Sequence, residues 1–296
     1  MSVSMEGLRS GDAIRVSESS SKLRNTVGLL DARETHAQPS FDLTRHPVLG
    51  VPIDFINGTG VMDTIERWRR NGKTGYICVV NPWSIIVSFC DERMRTALTE
   101  SDASVPDGIG VTVAAKILNY RHSGSVPGPD LMLNLCDLGR AHGFRHFFYG
   151  GREGVAAEVA ERLGNALPGL QVAGVYCPPF RELTDDETSA VIDRINDATP
   201  DILWVGLGAP KQEKWMAEHW RRTKVTALIG VGAAFDFHAG SIKRAPAWMR
   251  RLSCEWLWRL AMEPRRLWSK NIVNPLFMAA VLAQRVAMKY GEKQRV

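Results

Sequence analysis

The feature of this sequence that most limits what it can fold into is a rhythm. From Val48 onward, short apolar runs recur between longer stretches with helical spacing. The runs cover residues 48–53, 76–80, 146–149, 172–176, 202–205 and 227–231, and each reads as a strand buried on both faces. Residues 59–70 read as a helix capped by Thr59 and stopped at Asn71-Gly72, and residues 153–167 as one that ends at Pro168-Gly169. Residues 184–197 and 210–222 continue the pattern. Strand and helix in regular alternation predict an α/β fold, a largely parallel sheet with helices on both faces. Ligands on such sheets bind beyond the carboxyl ends of the strands, so the loops after the apolar runs are where chemistry is expected.

Two flanking regions fall outside the rhythm. Residues 1–44 are rich in Ser, Arg, Glu and Asp without apolar periodicity and read as a flexible extension, leaving 45–244 as the α/β core. Residues 245–296 read as an appendage of two or three short amphipathic helices interrupted by Pro264 and Pro275. Charge gathers there: residues 241–296 hold twelve Lys and Arg against three acids, so the chain's net +5 less this segment's +9 leaves −4 for the rest. The same segment carries Trp248, Trp256, Trp258 and Trp268, and a cationic segment rich in Trp suits an anionic membrane surface. Nucleic acid would attract the same charge, and a packed, solvated helical end is the plain alternative.

Asn274, Pro275, Gln284 and Arg285 break the most apolar part of this segment below the roughly eighteen continuous apolar residues of a membrane span. The chain is therefore expected to lie on a membrane if it meets one. Its five cysteines, Cys78, Cys90, Cys136, Cys177 and Cys254, are odd in number and scattered without metal-ligand spacing, which suits a reduced, cytoplasmic compartment. The first residues show no secretory signal.

Four loops and the appendage could carry chemistry. Gly150-Gly151-Arg152-Glu153-Gly154 leads from a strand into a helix, an arrangement that brings backbone N–H groups against a phosphate or ribose; glycines also serve simply to turn the chain there. In the loop of residues 205–213, Pro210 is expected at the first helical position, with Lys211 and Gln212 in an exposed first turn facing the crevice. Asp107, between Pro106 and Gly108, is the best general-base candidate, set against the commoner role of Asp as a helix cap. Asp236 could accept from a uracil or ribose, or cap its own loop. Arg250, Arg251, Arg259, Arg265 and Arg266 could reach a phosphate from the appendage, or be solvated surface. No Asp-x-Asp triplet follows an apolar run to hold a divalent cation, so fixed cations would have to steady a departing diphosphate.

Taken together, Val105-Pro106-Asp107-Gly108, Val126-Pro127-Gly128-Pro129-Asp130-Leu131, Gly206-Leu207-Gly208-Ala209-Pro210-Lys211-Gln212-Glu213 and the motifs between Phe235 and Trp268 resemble the WecB/TagA/CpsF glycosyltransferase family over residues 48–275. The resemblance implies a Rossmann-like core with a helical C-terminal appendage. It also implies inverting transfer, without metal or other cofactor, from a UDP-sugar donor to a lipid-linked saccharide acceptor, a polyprenyl diphosphate at the inner membrane face, in surface polysaccharide synthesis. By the same resemblance Asp107 is the catalytic base, and Arg259 and Arg266 reach over the site. Gln212 and Asp236 contact the donor, with Asn81, Gly150, Gly151 and Lys211 also placed in the substrate site. Two positions depart from the family: Val79 stands where relatives carry Thr, and Ser125 where they carry Arg. Both family positions help hold the sugar, so the departures lean away from N-acetylmannosamine and toward glucose. Self-association is left open.

Two other classes compete. A dinucleotide-dependent oxidoreductase would share the sheet, but Asn57-Gly58-Thr59-Gly60 lacks the full glycine fingerprint and its acidic partner. A basic-tailed nucleic-acid-binding module would use the same arginines, although dense Trp suits lipid better, and no nucleic-acid partner is expected.

Overall fold

The computed structural model describes residues 45–246, 248–249, 255–265 and 272–293. The N-terminal extension and Arg250, Arg251, Cys254, Arg266 and Trp268 lie outside the described residues.

The chain opens with β1 (His46–Val48) and β2 (Val51–Ile53), which pair antiparallel as a small hairpin. The single apolar run read at 48–53 is thus broken in two and stands apart from the main sheet. Leu49 and Gly50 both adopt positive φ, 51° and 84°, the geometry of the two-residue turns that match strand twist. Next come α1 (Gly58–Arg70), β3 (Gly75–Val80), α2 (Pro82–Ser88), α3 (Glu92–Thr99), β4 (Ala103–Pro106), α4 (Gly108–Leu118) and α5 (Gly128–Ala141). The second half runs β5 (Arg145–Gly150), α6 (Val155–Ala166), β6 (Gln171–Tyr176), α7 (Asp185–Ala198), β7 (Ile202–Gly206), α8 (Lys211–His219), β8 (Ala227–Gly230) and α9 (Ala234–His238). Two further described helices are α10 (Glu255–Met262) and α11 (Asn274–Lys293).

β4, β3, β8, β7, β5 and β6 form, in that order, one six-stranded sheet in which every pairing is parallel. Side chains alternate across it, so each strand feeds two cores. Ile77, Val79, Phe148, Trp204 and Ile229 face one way, onto Val61, Ile65, Leu135, Val159 and Leu163 of α1, α5 and α6. Tyr76, Cys78, Val80, Phe147, Leu203 and Leu228 face the other, onto Ile85, Met94, Val111, Val191 and Met216. This double burial explains the continuous apolar runs. β6 is the exception: it lies at the sheet edge, and none of its residues is fully buried.

The helix ends follow local chemistry with small shifts. Asn57, two residues before the expected Thr59, caps α1 by accepting from the Gly60 N–H, while Thr184 and Glu187 form a reciprocal capping box on α7. Pro275 falls in the first turn of α11, where no N–H is missed, and so begins that helix instead of interrupting the tail. α11 docks through fully buried Phe277 and Val281. Gln284 fixes it to the hairpin, donating to the Pro47 carbonyl and accepting from the Leu49 N–H, each at 2.9 Å. Leu276, Leu282, Val286 and Tyr290 stay exposed on its outer side. Among the described residues no helix is long and apolar enough to cross a membrane.

Candidate active site

A parallel sheet puts the carboxyl ends of all its strands on one edge, and the candidate residues follow those ends. Asn81 follows β3, Asp107 follows β4, Gly150 ends β5, the loop to Gln212 follows β7, and Asp236 lies just beyond β8. The register Val80↔Pro106 makes Asn81 and Asp107 neighbours, and the Asp107 N–H donates to the Val80 carbonyl at 2.7 Å.

Asp107 stands at the N-cap position of α4 yet makes no capping bond through its side chain. The duty is taken elsewhere: the Gly108 N–H donates to Ser125 Oγ at 2.7 Å, and that hydroxyl lies 3.4 Å from the Pro106 carbonyl. Gly108 at φ 77° is the residue that turns the chain here. The carboxyl is left free of structural work. Burial pushes its pKa from 3.8 to about 6, against the opposing charge of Arg259 and a hydrogen bond from the Asn81 amide, while Glu255 and Asp130 add to the rise. A half-buried carboxyl ionised at neutral pH, yet basic enough to hold a proton, is suited to general-base work. Asn81 is itself fixed, its Oδ1 accepting from the Ser84 N–H at 3.0 Å in a capping box on α2.

Arg259 comes from α10. Its guanidinium sits 5.3 Å from the centre of the Phe237 ring and 3.8 Å from Glu263, and its buried Nε has no hydrogen-bond partner among the described residues. A cation with an unused donor beside a base can take an anionic group. Arg266 lies outside the described residues.

Gln212 departs from the exposed position expected of it. It is only 4% exposed, because Gly230 and Gly232 leave room for its carboxamide: a Cβ on either would meet it at 3.1 and 3.4 Å. Its Nε2 donates to Glu213 Oε1 at 2.9 Å, and its buried Oε1 has no partner among the described residues. Pro210 is the N-cap of α8, one position earlier than expected, and Lys211 is exposed. The Lys211 ammonium lies 5.4 Å from the ring of Phe180, which is fully exposed in the loop after β6. Asp236, half-buried in the first turn of α9, has no hydrogen bond to its carboxylate among the described residues, so it does not serve as an internal cap.

Gly150 and Gly151 are explained by packing. A Cβ on Gly150 would come within 2.5 Å of the Gly206 backbone, one on Gly151 within 2.8 Å of Val155, and the Gly151 N–H already donates to the Gly206 carbonyl. They shape the floor of the crevice between β5 and β7. Among the described residues no group of three or more His, Cys, Asp or Glu side chains is placed to hold a metal ion.

One cluster had no assigned role in the sequence. Arg244 donates to both oxygens of Asp130 in the first turn of α5, at 2.7 and 3.2 Å, and to both oxygens of Glu255, at 2.8 and 2.9 Å. Burial works against its charge, but the two carboxylates hold its pKa above the ordinary arginine value. These residues are scattered over more than a hundred positions, and only the fold brings them together.

Comparison with known proteins gives a consistent result. The pattern of the glycosyl transferase WecG/TagA/CpsF family matches residues 46–290. A protein of Bacillus spizizenii is 32% identical over 236 residues, 78% of this chain and 88% of its own length. One of Bacillus subtilis is 30% identical over 79% of this chain and 90% of its own, and one of Staphylococcus aureus 27% identical over 78% and 89%. All three are named as N-acetylglucosaminyldiphosphoundecaprenol N-acetyl-beta-D-mannosaminyltransferases.

Proposed function

The chain belongs to the glycosyl transferase WecG/TagA/CpsF family, and from that premise we propose that it moves a hexosyl group from a UDP-hexose to a hydroxyl of a saccharide held on a polyprenyl diphosphate. The observation that carries this reading is Asp107: half-buried at the carboxyl edge of the sheet, capping nothing, raised to about pKa 6, and flanked by Asn81 and Arg259.

In the proposed step Asp107 takes the proton of the acceptor hydroxyl as its oxygen attacks the anomeric carbon. The bond from that carbon to the UDP oxygen breaks as the new one forms, and a single displacement inverts the configuration. The charge developing on the leaving diphosphate falls to Arg259, whose Nε is uncommitted, and to Arg266. Gln212 and Asp236 each keep an acceptor oxygen for the donor, and Lys211 a mobile cation at the rim. Exposed Trp256, Leu257 and Met262 on α10 and the outer side of α11 support work against a membrane surface, where such an acceptor is held.

The relatives named above support N-acetylmannosamine as the donor sugar. A specific observation favours glucose as a second reading: Val79 is packed in the core, and the Ser125 hydroxyl is spent on the Asp107 loop, so neither offers the sugar a polar contact. The test incubates the protein with UDP-N-acetylmannosamine or UDP-glucose and a short polyprenyl-diphosphate-linked N-acetylglucosamine, reading UDP release and acceptor mass. Acceptor-dependent release with one donor supports the reading and identifies the sugar. Release with neither, nor with any other UDP-hexose, overturns it.

A further inference from the structure

Among the described residues, the helix that carries Arg259 has no fully buried apolar side chain to anchor it. None of the eight residues of α10 is fully buried, so the attachments described for it are mostly polar. Trp258 Nε1 donates to the Lys243 carbonyl at 3.2 Å, the Ala245 N–H lies 3.4 Å from Glu255 Oε1, and Arg259 rests over Phe237. The best-made joint is Arg244, which grips Glu255 at the start of α10 through two bonds and Asp130 through two more. Asp130 belongs to the rigid part of the molecule, since Leu131, Met132, Leu133 and Leu135 of α5 are buried in the core. The Arg244 guanidinium also lies 5.5 Å from the Phe237 ring, the ring that Arg259 covers at 5.3 Å. A planar fork satisfying two carboxylates at once fixes both distance and angle, which a point charge does not.

We propose that Arg244 is a positioning residue that latches α10 onto the first turn of α5 and thereby sets Arg259 beside Asp107. This rests on the reading of Asp107 as the base and Arg259 as the cation of the transfer site. Arg244 spends its donors on Asp130 and Glu255 and so acts through Arg259. The groups facing Asp107 are Arg259 and Glu255 from α10, Asp130 from α5 and Asn81 from the loop after β3. Arg259 and Asn81 favour the ionised carboxyl, Glu255 and Asp130 oppose it, and Arg244 is the counter-charge of the last two. Losing Arg244 therefore acts twice in one direction: α10 is released with its favourable cation, and Asp130 of α5 remains near the base without its counter-charge.

The test compares full-length protein with Arg244→Met. Removing a favourable charge and unmasking one like charge moves a carboxyl pKa up by about one unit or more, so transfer efficiency should fall about fivefold further at pH 6 than at pH 8. UDP binding should weaken through loss of the Arg259 contact but persist, since Gln212 and Asp236 lie outside α10. Equal losses at the two pH values, or none, overturn the latch. Should Arg244→Met fail to fold, Arg244→Lys keeps the charge without the double fork. It should show the same pH-skewed loss in smaller measure, and a uniform loss there likewise overturns the proposal.

A readout without turnover separates the latch from the functional reading. The urea-stability difference between proteins with and without Asp107→Asn, followed against pH, reports the Asp107 pKa. Its midpoint should rise when Arg244→Met is added. A rise without transferase activity sinks the functional reading and keeps the latch, and an unmoved midpoint sinks the latch.

Discussion

Replacing Asp107 by Asn should slow the enzyme and strengthen the fold at once, and the structure gives a size for each effect. Asparagine keeps the shape and can still receive the Asn81 amide, and since the Asp107 side chain caps nothing, no capping bond is lost. It cannot take a proton. Loss of a general base costs about a hundredfold or more, so transfer should fall at least that far with folding intact. The stability effect has the opposite sign. Because the folded carboxyl holds its proton up to about pH 6 instead of 3.8, ionising it costs the folded state an amount that builds across that window and is complete above it. At about 1.4 kcal/mol per tenfold, the cost is at most about 3 kcal/mol, less whatever water screens at a half-buried site. Asp107→Asn should therefore unfold at higher urea than the parent protein at pH 7.5, and the gain should vanish by about pH 4. Turnover within tenfold of the parent, or a variant less stable at pH 7.5, would refute the reasoning.

Three further outcomes are expected. Gln212→Ala removes a buried amide that bonds Glu213 and, in the proposed site, the donor; it should raise the KM for the UDP-sugar and lower stability by about 1 to 3 kcal/mol, read by kinetics and urea titration. Gly206→Ala would place a Cβ 2.5 Å from the Phe235 ring; it should destabilise by about 1 to 3 kcal/mol or more and weaken UDP binding in calorimetry. His238 is buried with its pKa pushed down to about 4 by burial, so the stability of the neutral ring is complete above 6.5 and is lost as pH falls toward 4. His238→Gln should lose less stability on acidification than the parent, by up to about 3 kcal/mol, and an equal loss in both would count against this cause.

The alternation of apolar runs was enough to read the parallel sheet, because strands buried on both faces cannot hide their composition. It misled at residues 48–53, where a two-residue turn splits one run into a hairpin without the Asn-Gly or Asp-Gly signature such turns usually carry. It also overstated the burial of β6, since an edge strand can be as apolar as a central one. At the site, placement after strand ends brought Asn81, Asp107, Gln212 and Asp236 to one edge of the sheet, as a parallel topology requires. The burial of Gln212 was not legible, because it depends on two glycines about twenty residues further on that leave its carboxamide room. Nor was the Arg244 joint, since nothing local to Arg244 says that Asp130 and Glu255 converge on it.

The proposed transfer turns on one ionisation, that of Asp107, and its pH dependence is the most direct measurement. The efficiency of transfer, followed from pH 4.5 to 8 with a saturating lipid-linked acceptor, should be level above about 6 and fall about tenfold per pH unit below it, as for a single base with the Asp107 pKa. A rate that stays flat from pH 7 down to pH 5 would contradict it.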